Sequence, residues 1–93
     1  MKNILFKKVI EEEEIEEIQF LYSKKEAIDK IWKKSKKDGK FSKQFNNIRY
    51  NANKEFSDRF EEIAKKYSDL PLNGKIKYDL IFSEKIIYYY EVD

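Results

Sequence analysis

Apolar and polar positions change their spacing several times along the chain, and each change marks an element. Residues 4–10 (ILFKKVI) and 15–22 (IEEIQFLY) flank the run Glu11-Glu12-Glu13-Glu14. In the second segment Ile18, Phe20 and Tyr22 fall on alternate positions, the period of a strand. Leu5, Phe6, Val9 and Ile10 also fit a helical stripe, but Ile15 and Ile18 fall off its continuation. The pattern therefore predicts a β-hairpin over residues 4–22, with the glutamates at its turn.

From Ser23 the period lengthens. Ser23-Lys24-Lys25-Glu26 reads as a capping box, with Ser at the N-cap and Glu three residues on. Ala27, Ile28, Ile31 and Trp32 follow at helical spacing. Lys34, Lys36 and Lys37 come near the C-terminal end, where the helix dipole favours cations. Asp38-Gly39 predicts the stop. Ser42 is a second expected N-cap. Phe45, Ile48, Ala52, Phe56, Phe60, Ile63 and Tyr67 then form a sustained helical stripe, ended by Ser68-Asp69-Leu70-Pro71. A straight helix over 42–68 would be about 40 Å long. The cluster Asn46, Asn47, Asn51 and Asn53 predicts a bend or break, because Asn is a poor helix former.

Asn73-Gly74 signals a turn. Ile76, Tyr78, Leu80 and Phe82 then alternate with Lys77, Asp79 and Ile81, and Ile86-Ile87-Tyr88-Tyr89-Tyr90-Glu91-Val92 makes a second strand. A three-residue loop, Ser83-Glu84-Lys85, would pair Phe82 with Ile86, Leu80 with Tyr88, Tyr78 with Tyr90 and Ile76 with Val92. In that register Tyr88 and Tyr90 face the helices, and Ile87 and Tyr89 face outward. The last strand is short, which suggests a sheet edge. The predicted fold is α+β in the order ββααββ: one domain over residues 1–93, with about four antiparallel strands and two helices packed on one face.

Composition narrows the chemistry. The 93 residues contain no Cys and no His. Disulfides, thiolate nucleophiles, the commonest general base and the commonest metal ligands are thereby excluded. No nucleophile–base pair, glycine-rich phosphate loop or metal-ligand spacing is visible, so no catalytic, cofactor or metal residue is assigned. The four consecutive glutamates would alternate faces on a strand and would not converge on a cation. No apolar run approaches the length of a membrane span, and the expected location is the cytoplasm. Aromatic residues make up 16% of the chain, a density that predicts a folded core.

Charge is segregated. Residues 1–23 carry net −3, residues 24–59 net +7 and residues 60–93 net −2. The predicted helix within 24–43 turns Lys30, Lys33, Lys34 and Lys37 outward, a face able to meet phosphates or an acidic protein. Arg49 and Arg59 are the only arginines, against eighteen lysines. Both lie on or beside the stripe of the second helix, as ion-pair or stacking partners within the fold or as a clamp at a partner surface.

Two functional expectations follow. The first is a non-enzymatic interaction protein that occupies a surface of a larger protein through Ile87, Tyr89, Arg49 and Arg59. Small phage or mobile-element inhibitors of host defence nucleases, anti-CRISPR proteins among them, share this compositional profile. The second is a nucleic-acid-binding protein that uses the basic helix 24–43. Here the two-helix layer against a terminal hairpin loosely resembles the small ribonuclease toxins of toxin–antitoxin systems, a likeness of fold without a shared motif.

Overall fold

The computed structural model describes residues 2–37, 39 and 43–92. The element order is β1 (Lys2–Val9), α1 (Glu12–Lys37), α2 (Lys43–Tyr67), β2 (Ile76–Ile81), a 3₁₀ turn (Phe82–Glu84) and β3 (Ile86–Val92). The class is α+β, as expected, but the sheet has three strands in the order β1-β3-β2. Both neighbours run antiparallel to β3. The last strand is thus the central one and not an edge.

The leading hairpin is replaced by a strand and a helix. β1 pairs with β3, and residues 12–22 belong to α1. Glu12, Glu13 and Glu14 fill the first turn of α1, where carboxylates complement the helix dipole. Ile15, Ile18 and Leu21 are buried, whereas Phe20 is 67% exposed. The three-residue step therefore overrides the two-residue one. Ser23 sits exposed inside the helix and caps nothing. At the other end Gly39 adopts φ 72°, a left-handed conformation that glycine takes without strain, and its N–H donates to the Lys36 carbonyl at 3.2 Å. The expected cap Ser42 lies outside the described residues.

α2 runs unbroken from Lys43 to Tyr67. The asparagines do not bend it out of helix. Asn46, Asn47 and Asn51 point to solvent, and Asn53 donates to the Arg49 carbonyl one turn back at 2.9 Å. Poor intrinsic propensity costs only tenths of a kcal/mol per residue, about 0.7 at most, and the apolar stripe outweighs it.

The chain groups into two compact units, residues 1–16 with 61–93 and residues 17–60. In the first, Ile10, Ile15, Ile63, Ala64, Ile76, Ile87 and Tyr89 form the core. Tyr89 donates its hydroxyl to the Ala64 carbonyl and stacks on Phe6 at 4.5 Å between ring centroids. The buried carboxylate of Glu14 accepts from the Tyr67 hydroxyl and from Lys66 Nζ, while Tyr67 Oη accepts the Glu11 N–H. A charge that would be costly alone is thereby held by hydrogen bonds.

In the second unit Ile18, Leu21 and Ala52 are buried. Tyr22 packs on Phe56, and Phe56 on Phe60. Of the residues expected to face inward on α1, Ile28 and Trp32 are half-buried, but Ala27 is exposed and Ile31 is 54% exposed. The inner line of α1 passes through 18, 21, 25, 28 and 32, and Ile31 lies one position off it.

The β2–β3 hairpin is shifted by one residue from the expected register. The observed pairs include Ile76↔Glu91, Tyr78↔Tyr89, Leu80↔Ile87 and Ile81↔Ile86. Phe82 belongs to the connection, which closes with Lys85 in the left-handed region (φ 57°) and its N–H on the Phe82 carbonyl at 3.2 Å. One extra loop residue turns β3 over. Ile87 and Tyr89 face the core, both at 0% exposure, and Ile86, Tyr88, Tyr90 and Val92 take the other face.

Candidate functional site

The face of the sheet opposite Tyr89 is built by the observed register. Read across β1, β3 and β2, its rows are Val9–Ile86–Ile81, Lys7–Tyr88–Asp79 and Ile4–Tyr90–Lys77, with Lys2 beside Val92 at the end. Leu5 is the extra residue of a bulge between Ile4 and Phe6, which keeps both halves of β1 in alternation with β3. Val9 is 72% exposed and Val92 58%. Tyr88 and Tyr90 lie two residues apart on the central strand with ring centroids 5.7 Å apart. Lys2 Nζ sits 4.6 Å from the Tyr90 ring centroid, a cation–π geometry. Tyr88 Oη reaches Asp79 Oδ2 only at 3.5 Å, a long contact. The face combines two rigid aromatics, an aliphatic row and three lysines against one aspartate.

The residues expected to meet a partner fall elsewhere. Ile87 and Tyr89 are enclosed in the core, because the register turned their strand over. Arg49 Nε donates to Asp29 Oδ1 at 2.8 Å, and its guanidinium lies 4.2 Å from the Trp32 ring centroid. Arg59 Nε pairs with Glu17. Both arginines are engaged within residues 17–60. Lys30, Lys33, Lys34 and Lys37 are exposed on one face of α1, as their spacing implied. The expected register turned Tyr88 and Tyr90 toward the helices, whereas the observed one places them on the open face. Their signal was the tyrosine triplet itself, whose facing hung on the loop length.

A recess of about 560 Å³ opens beside this face, lined by Gly74, Lys75, Lys77, Glu91 and Val92. It holds one carboxylate, Glu91, beside the two ammonium groups of Lys75 and Lys77. Among the described residues no group of three or more carboxylates is arranged to hold a metal ion. The glutamates of the run diverge: Glu12 pairs with Lys85 Nζ at 2.9 Å, and Glu14 turns into the core. Among the same residues no helix is long and apolar enough to cross a membrane.

Burial, reinforced by Tyr78 and Asp69, pushes the Tyr89 hydroxyl up to about 12. Burial also raises Tyr67 and Tyr78. A tyrosine in the unfolded chain ionises near 10. The folded state therefore holds these protons more tightly, so their contribution is complete below about pH 10 and is lost at higher pH, for Tyr89 as the pH rises through about 12. The denaturation midpoint is expected to fall over that interval, in step with a delayed tyrosinate absorbance. Simultaneous ionisation of all seven tyrosines near pH 10 in the folded protein would contradict the burial of Tyr89.

Compared with known proteins, the chain matches no family model, no curated protein and no solved structure.

Proposed function

We propose that this protein is a non-enzymatic interaction module that docks onto a larger protein partner through the open face of its sheet. The observation that carries the reading is the Tyr88–Tyr90 pair on the central strand, bordered by Val9, Ile86 and Ile81 and by Lys2, Lys7 and Lys77. Buried aromatics supply most of the energy at interfaces, and aliphatic neighbours exclude water around them. The excess of lysine favours a partner surface that is apolar at its centre and acidic at its rim. Binding without chemistry fits a modulator or blocker, and a chain without cysteine suits the cytoplasm. The narrower reading, an inhibitor of a host defence nuclease, rests on composition.

The test uses a partner recovered by affinity purification from native cells and identified by mass spectrometry. Tyr88→Ala and Tyr90→Ala should each weaken that complex about tenfold or more, the effect of losing roughly 1–2 kcal/mol at an anchor. Both variants should keep the wild-type circular dichroism. Unchanged affinity in both would remove the open face from the interface.

A second reading has its own observation. Residues 17–60 carry twelve Lys and Arg against six Asp and Glu, and Lys30, Lys33, Lys34 and Lys37 share one exposed face there. Such a face binds nucleic-acid phosphates, and its affinity falls steeply with salt. Weak binding to labelled RNA and DNA is expected at low salt and none at physiological salt, with no cleavage with or without magnesium. Submicromolar binding that survives physiological salt and is lost when the four lysines become glutamate would make nucleic acid the ligand.

A further inference from the structure

β3 is paired on both sides, so among the described residues β1 and β2 form the two edges of the sheet, and these are not equivalent. The β1 edge is interrupted by the bulge at Leu5 and carries Lys2, Lys7 and Lys8. Bulges and lysines are the usual guards against strand addition. The β2 edge is regular: six consecutive residues pair with β3 without a shift.

The outward backbone groups of β2 can be assigned. The Ile76 N–H donates to the Asn73 carbonyl at 3.2 Å, and the Leu80 N–H donates to Asp79 Oδ1 at 2.8 Å. Neither is spent on β3. By the two-residue alternation of an antiparallel ladder, the Tyr78 N–H points the same way. Side chains alternate as well. Ile76, Tyr78 and Leu80 face the core side, and Lys77, Asp79 and Ile81 the open side.

We propose that two copies of this chain join antiparallel along their β2 edges, about a two-fold axis at Tyr78, into one continuous six-stranded sheet. This register sets Tyr78 opposite Tyr78, Ile76 opposite the partner's Leu80 and Lys77 opposite the partner's Asp79. Backbone parity admits only registers in which outward groups meet outward groups. Sliding two residues in either direction places Lys77 against Lys77 or Asp79 against Asp79, and like charges directly opposite are destabilising. The register centred on Tyr78 gives two Lys–Asp pairs instead. Lys77 has no salt bridge among the described residues, so its charge is available. In the single chain the Asp79 carboxylate plugs the edge by occupying the Leu80 N–H. On pairing, that N–H passes to the partner's Ile76 carbonyl and the carboxylate passes to the partner's Lys77. The isologous contact joins the two open faces edge to edge.

Sedimentation equilibrium over a concentration series, up to millimolar, tests the arrangement. The wild type should self-associate to a dimer. Lys77→Asp and Asp79→Lys should each weaken the dimer at least tenfold with unchanged circular dichroism. The double swap, carrying both changes, should restore it. Mixing the two single variants should give a heterodimer, since each then meets its opposite. As a check independent of charge, a chain with Lys77→Cys and Asp79→Cys, otherwise free of cysteine, should cross-link into a covalent dimer on mild oxidation. A wild type that stays monomeric throughout, or a dimer indifferent to all the swaps and not cross-linked by the cysteines, overturns the proposal.

Discussion

Tyr89→Ala is expected to cost about 3–5 kcal/mol, the range for truncating a fully buried aromatic. Folded domains are stable by only roughly 5–15 kcal/mol in total. The variant should therefore show a denaturation midpoint far below wild type, or no cooperative transition. The reason is positional. The ring is enclosed, lies 4.5 Å from the Phe6 ring and 6.4 Å from the Tyr78 ring, and fills the centre of the helix-facing side of the sheet. Tyr89→Phe separates the ring from the hydroxyl. It keeps the packing and loses one bond to the Ala64 carbonyl, which still accepts the Ser68 N–H at 3.1 Å. A loss of about 0.5–1.5 kcal/mol is expected there. Equal stability of Tyr89→Ala and wild type in guanidinium titrations would place the ring in solvent, against the register described here.

Ile87→Asp should be more severe still. Ile87 stands between Lys8 of β1 and Leu80 of β2 at zero exposure. An aspartate there must bury a carboxylate or take up a proton, and losses above about 4–5 kcal/mol belong to this mechanism. The chain should lack a cooperative unfolding transition at neutral pH. Ile86→Asp, one residue earlier, projects from the half-exposed opposite face and should keep that transition. Two neighbouring substitutions with opposite outcomes would locate the inner face of β3 by experiment, and the reverse pattern would restore the three-residue loop.

The strands over 76–81 and 86–92 and the stripe of α2 were readable because their periods persist over several residues without a competitor. Residues 12–22 had a competitor. Ile15, Ile18 and Leu21 satisfy a helix, while Ile18, Phe20 and Tyr22 satisfy a strand, and only burial against residues far along the chain separates the two. The Ser23–Glu26 spacing imitated a helix start, since four residues of a helix interior can carry the same letters as a cap. Loop length escaped because Lys85 occupies a left-handed conformation that sequence reasoning reserves for Gly or Asn. That single residue decided which tyrosines form the candidate face. The lysine row of α1 was legible, because helical spacing is local. The central place of β3 was not, because its second neighbour comes from the opposite end of the chain.

That distant neighbour sets the order of assembly. β2 and β3 are separated by one short turn, and hairpins close in about 1–10 μs. β1 is different: Val9 meets Ile86 and Lys2 meets Val92, with both helices in the intervening chain. Closing so long a loop costs entropy before any contact repays it, and topologies of this kind fold slowly. During the delay β3 has one side unpaired, and the Tyr89 ring lacks the Phe6 ring that later covers it. A strand from another molecule can take that place, the usual origin of aggregates from partly folded chains. Refolding yield should therefore drop with protein concentration, as β1 and foreign strands compete for one edge.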